Sequence, residues 1–135
     1  MLSSTEQLMH ALSDPIQEIQ MVREGIHAEL IENFLSDQSL VIKDVLGRLN
    51  ITTSTYFAKK KDHKRLDSNT TEKFIRLFFV IQHAEEILGH TEARHWLYRK
   101  IPALKNHTPM DLLDTEAGHQ LVEQALLQIK YGIYN

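Results

Sequence analysis

Apolar residues recur along this chain at helical spacing, and no segment shows the sustained alternation of a half-buried strand. The few glycines and prolines, five and three, fall between the apolar stripes, as in an all-helical chain. A first helix is predicted over Thr5 to Leu12. Asp14 then caps a second helix, with Pro15 at its first position and Gly25 as its stop. Ile16, Ile19, Val22 and Ile26 supply the apolar positions of that helix. Ala28, Ile31, Phe34 and Leu35 form the next stripe. Ser39 is placed to cap a helix carrying Leu40, Val41, Val45, Leu46 and Leu49. A turn at Asn50-Ile51 leads into a short helix from Thr53 to Lys60, and residues 61–69 read as a polar loop.

The longest helix starts at Thr70 or Thr71 and ends near Gly89. Its apolar residues, including Phe74, Ile75, Leu77, Phe78, Val80, Ile81 and Ala84, cover more than one side. A helix apolar on several sides is buried on several sides. It is predicted as the central strut of the core, the other reading being part of a dimer interface. Thr91 to Lys100 forms a further helix with Trp96 and Leu97 facing inward, and Pro102 ends it. Thr108-Pro109-Met110-Asp111 has the composition of a helix start: a threonine cap, a first-position proline and an early acid. Thr115 opens the last helix, whose stripe is Leu121, Val122, Ala125, Leu126 and Ile129. Gly132 terminates it, and Ile133, Tyr134 and Asn135 trail beyond. The predicted fold is all-α, a compact multi-helix protein.

Composition narrows the class. A length of 135 residues fits one domain or two very small ones. There is no cysteine, which removes disulfides and thiolate metal sites and suits a cytoplasmic protein. The start, Leu2-Ser3-Ser4-Thr5-Glu6, lacks the basic and apolar regions of a secretory signal. The most apolar stretch, Phe74 to Ile81, is short and carries Arg76, so no membrane span is expected.

Charge is distributed unevenly. Residues 1–38 hold seven acids and one base, whereas residues 39–66 hold seven bases and two acids. A local basic block in an acidic chain is a candidate phosphate-binding face; the alternative is a solvated surface. The block coincides with two short helices joined by a tight turn, the lengths of a DNA-reading helix-turn-helix. On that reading Thr52, Thr53, Ser54 and Thr55 sit at the N-terminus of the second helix and meet phosphates or base edges. Lys59, Lys60, Lys61, Lys64 and Arg65 hold the backbone, and Ile51 and Tyr56 point inward. Asn50 occupies the turn position that usually carries glycine, and tolerates a left-handed backbone better than most residues. Leu46 stands where the motif usually has a small residue. A plain helical hairpin with a basic surface remains the other reading.

Eight histidines raise the question of metal. His83, Glu86 and His90 share one helical face, but no paired-histidine signature is present. Solvent-exposed histidines are the expected account, and no metal or cofactor is expected. A nucleophile elbow, a phosphate-cradling loop and a dinucleotide fingerprint are all missing, so catalysis is not expected.

A series of short signatures runs through the C-terminal part: Trp96-Leu97, Pro102-Ala103-Leu104, Thr108-Pro109-Met110-Asp111-Leu112-Leu113, Thr115-Glu116-Ala117-Gly118, Val122 and Gly132-Ile133-Tyr134. In this order and spacing, from about Ala93 onward, they resemble the toxin-binding domain of the Xre/MbcA/ParS antitoxins. Residues 25–89 are more loosely similar to the Xre-type helix-turn-helix half of that family. Departures are Ile101, where the family often has asparagine, and Lys105-Asn106, where it often has glycine. The resemblance implies three regions: a helical extension over 1–24, the helix-turn-helix region over 25–90 and a small helical toxin-binding half over 91–135.

It further implies a type II antitoxin that blocks the active site of a RES-domain, NAD-degrading toxin. Such an antitoxin also represses its own operon, as a homodimer or within the complex, by binding operator DNA. The blocking segment maps to Tyr131, Gly132, Ile133, Tyr134 and Asn135, with His119, Gln120, Glu123 and Gln128, on the polar side of the last helix, as weaker candidates. The residues are compatible with this, since tyrosine buries a large area with few rotors at interfaces. Without the resemblance, Tyr131 and Tyr134 read as surface tyrosines packing back on the core. Two alternatives follow: a regulator without a toxin partner, and a toxin-binding protein that does not bind DNA.

Overall fold

A computed structural model describes residues 2–132 of the chain. The described residues are all-α: eight α-helices and two 3-10 turns, with only isolated β-bridges between segments. The chain divides into two units, residues 1–74 and 75–135.

In the first unit, α1 (Ser4–Ala11) is capped by Ser3, whose side chain accepts the Glu6 N–H. The helix α2 (Pro15–Glu24) begins and ends as its sequence predicts. The Asp14 carboxylate accepts the Gln17 N–H at 2.9 Å, and Gly25 follows at φ 87°. The first half of its stripe, however, faces outward: Ile16 is 64% exposed, Ile19 is 42% exposed, and no residue of α2 is buried. Val22 of the same stripe is half-buried together with Glu18 and Met21, and Ile26 is buried beyond the helix end. There the chain lies against the segment before α6. Leu66 N–H donates to the Ile26 carbonyl, and Arg65 donates to the Gly25 carbonyl at 2.9 Å. A Cβ on Gly25 would lie 2.0 Å from the Leu66 carbonyl oxygen, so glycine is required here for space as well as for its positive φ.

Helix α3 (Ala28–Asp37) buries the four residues of its predicted stripe, Ala28, Ile31, Phe34 and Leu35. Ser39 does not cap the following helix. It sits at φ 59° and closes α3, with Leu40 N–H on the Leu35 carbonyl and Ser39 N–H on the Ser36 carbonyl. This closure satisfies carbonyls that α3 would otherwise leave without partners. The helix α4 (Ile42–Arg48) therefore starts later than the sequence suggests. The same pair of bonds closes α4, with Asn50 at φ 55°, and α5 (Thr53–Lys61), with His63 at φ 54°. Tyr56 of α5 is buried, donates its hydroxyl to the Ala28 carbonyl at 3.1 Å, and lies against Phe74. The start of α6 (Ser68–Leu88) precedes the threonines expected to open it. Asp67 is the cap, accepting the Thr70 N–H at 2.7 Å and the Thr70 hydroxyl at 3.1 Å.

In the second unit, the later part of α6 buries Ile75, Leu77, Phe78, Val80, Ile81 and Ala84. Helix α7 (His90–Leu97) buries Ala93, Trp96 and Leu97 and ends earlier than predicted. The chain then extends so that Ile101 N–H donates to the His107 carbonyl. A 3-10 turn at Pro102–Leu104 is closed by Lys105 at φ 54° and Asn106 at φ 64°. These residues take the left-handed conformations that glycine would otherwise supply.

The Thr108-Pro109 start yields one 3-10 turn (Pro109–Leu112) and not an α-helix, because the chain reverses again at Thr115 to begin α8 (Glu116–Lys130). Thr115 caps α8 through the Gly118 N–H at 3.0 Å. Arg76 braces this corner by donating to the Asp114 carbonyl. Val122, Ala125 and Leu126 pack inward, and Gly132 follows the helix at φ 70°.

Candidate functional site

The basic region is largely engaged within its own unit. Lys60 Nζ lies 2.6 Å from the Glu32 carboxylate, and Lys59 Nζ lies 3.6 Å from Asp67. Arg65 is held on the Gly25 carbonyl. Two hydrogen bonds from Thr70 hold the Asp67 carboxyl below its ordinary range despite partial burial, which keeps it charged opposite Lys59. Lys61 and Lys64 are exposed, and among the described residues neither has an ion-pair partner. Thr52, Thr53, Ser54 and Thr55 are all exposed at the start of α5, and the Thr52 side chain makes no capping bond. The candidate nucleic-acid face thus consists of four hydroxyl residues and two unpaired cations, with three of the five expected cations turned to internal partners.

The second face lies on α8. Three large apolar side chains stand out from this helix: Leu121 at 52% exposed, Leu127 at 49% and Tyr131 at 67%. Leu121 was expected on the inner stripe. It stands one turn before Ala125, at the edge of the buried stripe of Val122, Ala125 and Leu126, and half of its surface stays in solvent. Between the exposed residues lie Ala117, Gln120, Gln124 and Gln128. The outer face from Ala117 to Gln128 therefore carries no formal charge, in a chain that is 24% charged residues, and Lys130 flanks it at the Tyr131 end. Depletion of charge around apolar and aromatic anchors is the composition of an interface centre. Lys130 places its ammonium 5.6 Å from the Tyr131 ring centroid. Gly132 is exposed, and Ile133, Tyr134 and Asn135 lie outside the described residues.

His119 and Glu123 belong to a different side of α8. Glu123 is half-buried and faces His83 of α6, with His83 Nδ1 2.7 Å from one carboxylate oxygen and 2.9 Å from the other. His119 Nε2 stands 3.4 Å from the same carboxylate, and His119 Nδ1 is 3.7 Å from Glu116. Burial works against the charge on Glu123, but the imidazoles of His119 and His83 outweigh it and hold the carboxyl at about 2. The hydrogen bond to Glu123 pushes His83 above its ordinary value. His83 is therefore a paired residue and not a free solvent-facing one. Beside the pair runs a groove of about 620 Å³, lined by Glu86, Ile87, Leu127 and Lys130 among others.

Among the described residues no group of three or more ligands is placed to hold a metal ion, and no helix is long and apolar enough to cross a membrane. Sequence reasoning missed the outward Leu121 and Leu127 and the link from His83 to Glu123. Leu127 was legible in principle, since it falls off the inner stripe, whereas Leu121 keeps helical spacing with Ala125 and reads as part of it. The pair was not, because its members are 40 residues apart.

Residues 83–132 match the model of the antitoxin Xre/MbcA/ParS C-terminal toxin-binding domain. The chain is also similar to the Prs ADP-ribosylating antitoxin of Sphingobium sp. (strain YBL2), with 26% identity over 132 residues, covering 90% of this chain and 83% of the relative. It is similar to Antitoxin Xre of Photorhabdus laumondii subsp. laumondii, with 23% identity over 115 residues, covering 84% of this chain and 78% of the relative. The matched segment contains the whole of α8 with its outer face, and the two relatives extend the likeness into the N-terminal unit; the C-terminal part of the chain is similar to the toxin-binding domain of the Xre/MbcA/ParS antitoxins.

Proposed function

We propose that the chain is an antitoxin that neutralises a RES-domain toxin by laying the outer face of α8 on it and placing the segment from Tyr131 to Asn135 in its active-site cleft. The observation that carries the reading is the exposed, uncharged face bearing Leu121, Leu127 and Tyr131 within the toxin-binding match. The relative named as an ADP-ribosylating antitoxin supports the choice of toxin, because ADP-ribosyl transfer uses NAD, the compound a RES-domain toxin consumes. His119 and Glu123 contribute from the flank of the helix. Co-expression with a RES-domain toxin tests this. Full-length protein protects cells, whereas the Leu127→Asp variant and a chain lacking residues 131–135 do not. Protection by both variants would remove α8 and its tail from the interface.

Repression of the operon, by a homodimer acting through α4 and α5, is the second part of the proposal. It is supported by the exposed hydroxyls of Thr52, Thr53, Ser54 and Thr55 and by Lys61 and Lys64. The alternative, a toxin-binding protein that does not hold DNA, is favoured by the internal partners of Lys59, Lys60 and Arg65. A promoter-fragment shift assay separates the two. Binding that weakens on Lys61→Ala/Lys64→Ala substitution, with a salt slope reduced by about 0.9 per lost phosphate contact, supports repression. Absence of any shift supports the alternative.

A further inference from the structure

The flank of α8 beside the uncharged face holds a cluster that toxin contact alone does not explain. Glu123 lies between two imidazoles from different places in the unit, His83 on α6 and His119 one turn earlier on α8. The first contact is a short hydrogen bond at 2.7 Å. The second is an ion-pair distance, and neither ring nitrogen of His119 has a hydrogen-bond partner although both are buried. Buried polar atoms left in this state are costly unless a nearby charge compensates them. The Glu123 carboxylate is that charge, with Glu116 on the other side of the ring. Phe79 stacks against the His83 ring at 6.2 Å and fixes its plane.

We propose that His83, Glu123 and His119 form a proton-dependent clasp that fastens α8 to the later part of α6 and so sets the position of the toxin-binding face. Glu123 and His83 act here as positioning residues. They hold the helix from its inner flank while Leu121, Leu127 and Tyr131 make the contact. This rests on the proposed use of α8 against a toxin.

The charged surroundings decide the direction of the effect. On α6 the cluster faces Arg76, His83 and Glu86. On α8 it faces Glu116, His119, Glu123 and Lys130. Glu86 favours the charged form of His83 and Lys130 opposes it, with the Glu123 contact dominant. Arg76 stands 3.9 Å from Glu116 and is committed to the Asp114 carbonyl, and Glu85 is paired with His90 at 3.4 Å. Among the described residues, the opposite charge in contact with Glu123 is therefore that of imidazolium. When His83 loses its proton, the pair keeps at most a hydrogen bond from a neutral ring, and the half-buried carboxylate loses the His83 counter-charge. The clasp is tight while His83 is protonated and loosens as pH rises through its titration.

The experiment uses the full chain, first alone and then with a RES-domain toxin. In the free protein, NMR titration of the His83 ring and hydrogen exchange of the α8 amides are followed from pH 5.5 to 8.5. His83 titrates above the ordinary imidazole value, and α8 protection falls over the same interval. His83→Gln, which keeps a donor to Glu123 without the charge, gives α8 protection that no longer changes with pH. Glu123→Gln returns His83 to an ordinary titration. With toxin, wild-type affinity falls about two- to fivefold across the interval, as expected for one partly exposed ion pair, and His83→Gln removes that difference while still binding. An ordinary His83 titration in the wild type, or an unchanged pH profile in His83→Gln, overturns the clasp. If no toxin binds at any pH but the free-protein titrations follow this course, the clasp stands and the proposed toxin contact fails.

Discussion

Gly118 marks the tightest approach in the C-terminal unit. A Cβ built there would lie 1.7 Å from the Leu112 carbonyl oxygen, so the first turn of α8 can meet the preceding 3-10 turn only through glycine. Gly118→Ala is expected to lower stability by about 1–3 kcal/mol, the usual cost of forcing atoms into a packed contact, and urea unfolding measures it. Tyr56→Phe removes the hydroxyl that satisfies the buried Ala28 carbonyl. A loss of about 1 kcal/mol is expected, with no change in the denaturant slope.

Titration adds a third outcome at this scale. Glu123 is held at about 2, below its ordinary 4.5, so its stabilisation is complete above pH 4.5 and is lost as pH falls toward 2. His83 is raised above 6.5, so its contribution is complete below pH 6.5 and is lost as pH rises through its folded value. Thermal unfolding across pH 2.5 to 8.5 should therefore show the highest midpoint between these limits, with the acid limb flattened in Glu123→Gln. An unchanged acid limb in that variant would place the sensitive carboxylate elsewhere.

At the scale of elements, several helices and turns close on non-glycine residues at positive φ: Ser39, Asn50, His63 and Lys105. The bonds that close them are local, but the residue types are not those that usually announce a stop. This explains why Ser39 reads as a helix start and the Lys105-Asn106 turn as a departure from the family pattern. Lys105→Gly should raise stability by about 0.5 kcal/mol, since a left-handed conformation costs an L-residue about 1–2 kcal/mol and glycine loses part of that in chain entropy. Differential scanning calorimetry reads the shift. Caps with oxygen side chains were legible: Asp14, Thr108 and Thr115 each accept the N–H predicted by their position. On α8, Leu127→Asp should change stability by less than about 0.5 kcal/mol, because the side chain is half exposed, while it abolishes protection against toxin. A large loss of stability would show that Leu127 supports the fold instead.

For the whole molecule, the contrast is between a charge-rich N-terminal unit and an uncharged working face at the C-terminal end. The basic block counted from the chain is reduced on folding, because Lys59 and Lys60 meet Asp67 and Glu32. If the proposed roles are divided in this way, substitutions separate them. Lys61→Ala/Lys64→Ala lowers promoter binding and leaves protection against toxin intact. Leu127→Asp does the reverse. Paired measurements of promoter affinity and cell survival check this, and loss of both activities by either variant would argue against the division.

Most helix positions, the caps at Asp14, Thr108 and Thr115 and the C-terminal signatures were present in the chain itself, because a helix start is a bond between residues three apart and a stripe is a matter of spacing. Which side of α2 faces outward, which lysines remain unpaired, and that Glu123 meets His83 were decided only by tertiary structure. Each depends on residues brought together from distant positions, and periodicity along one helix contains no information about the charge that will face it from another.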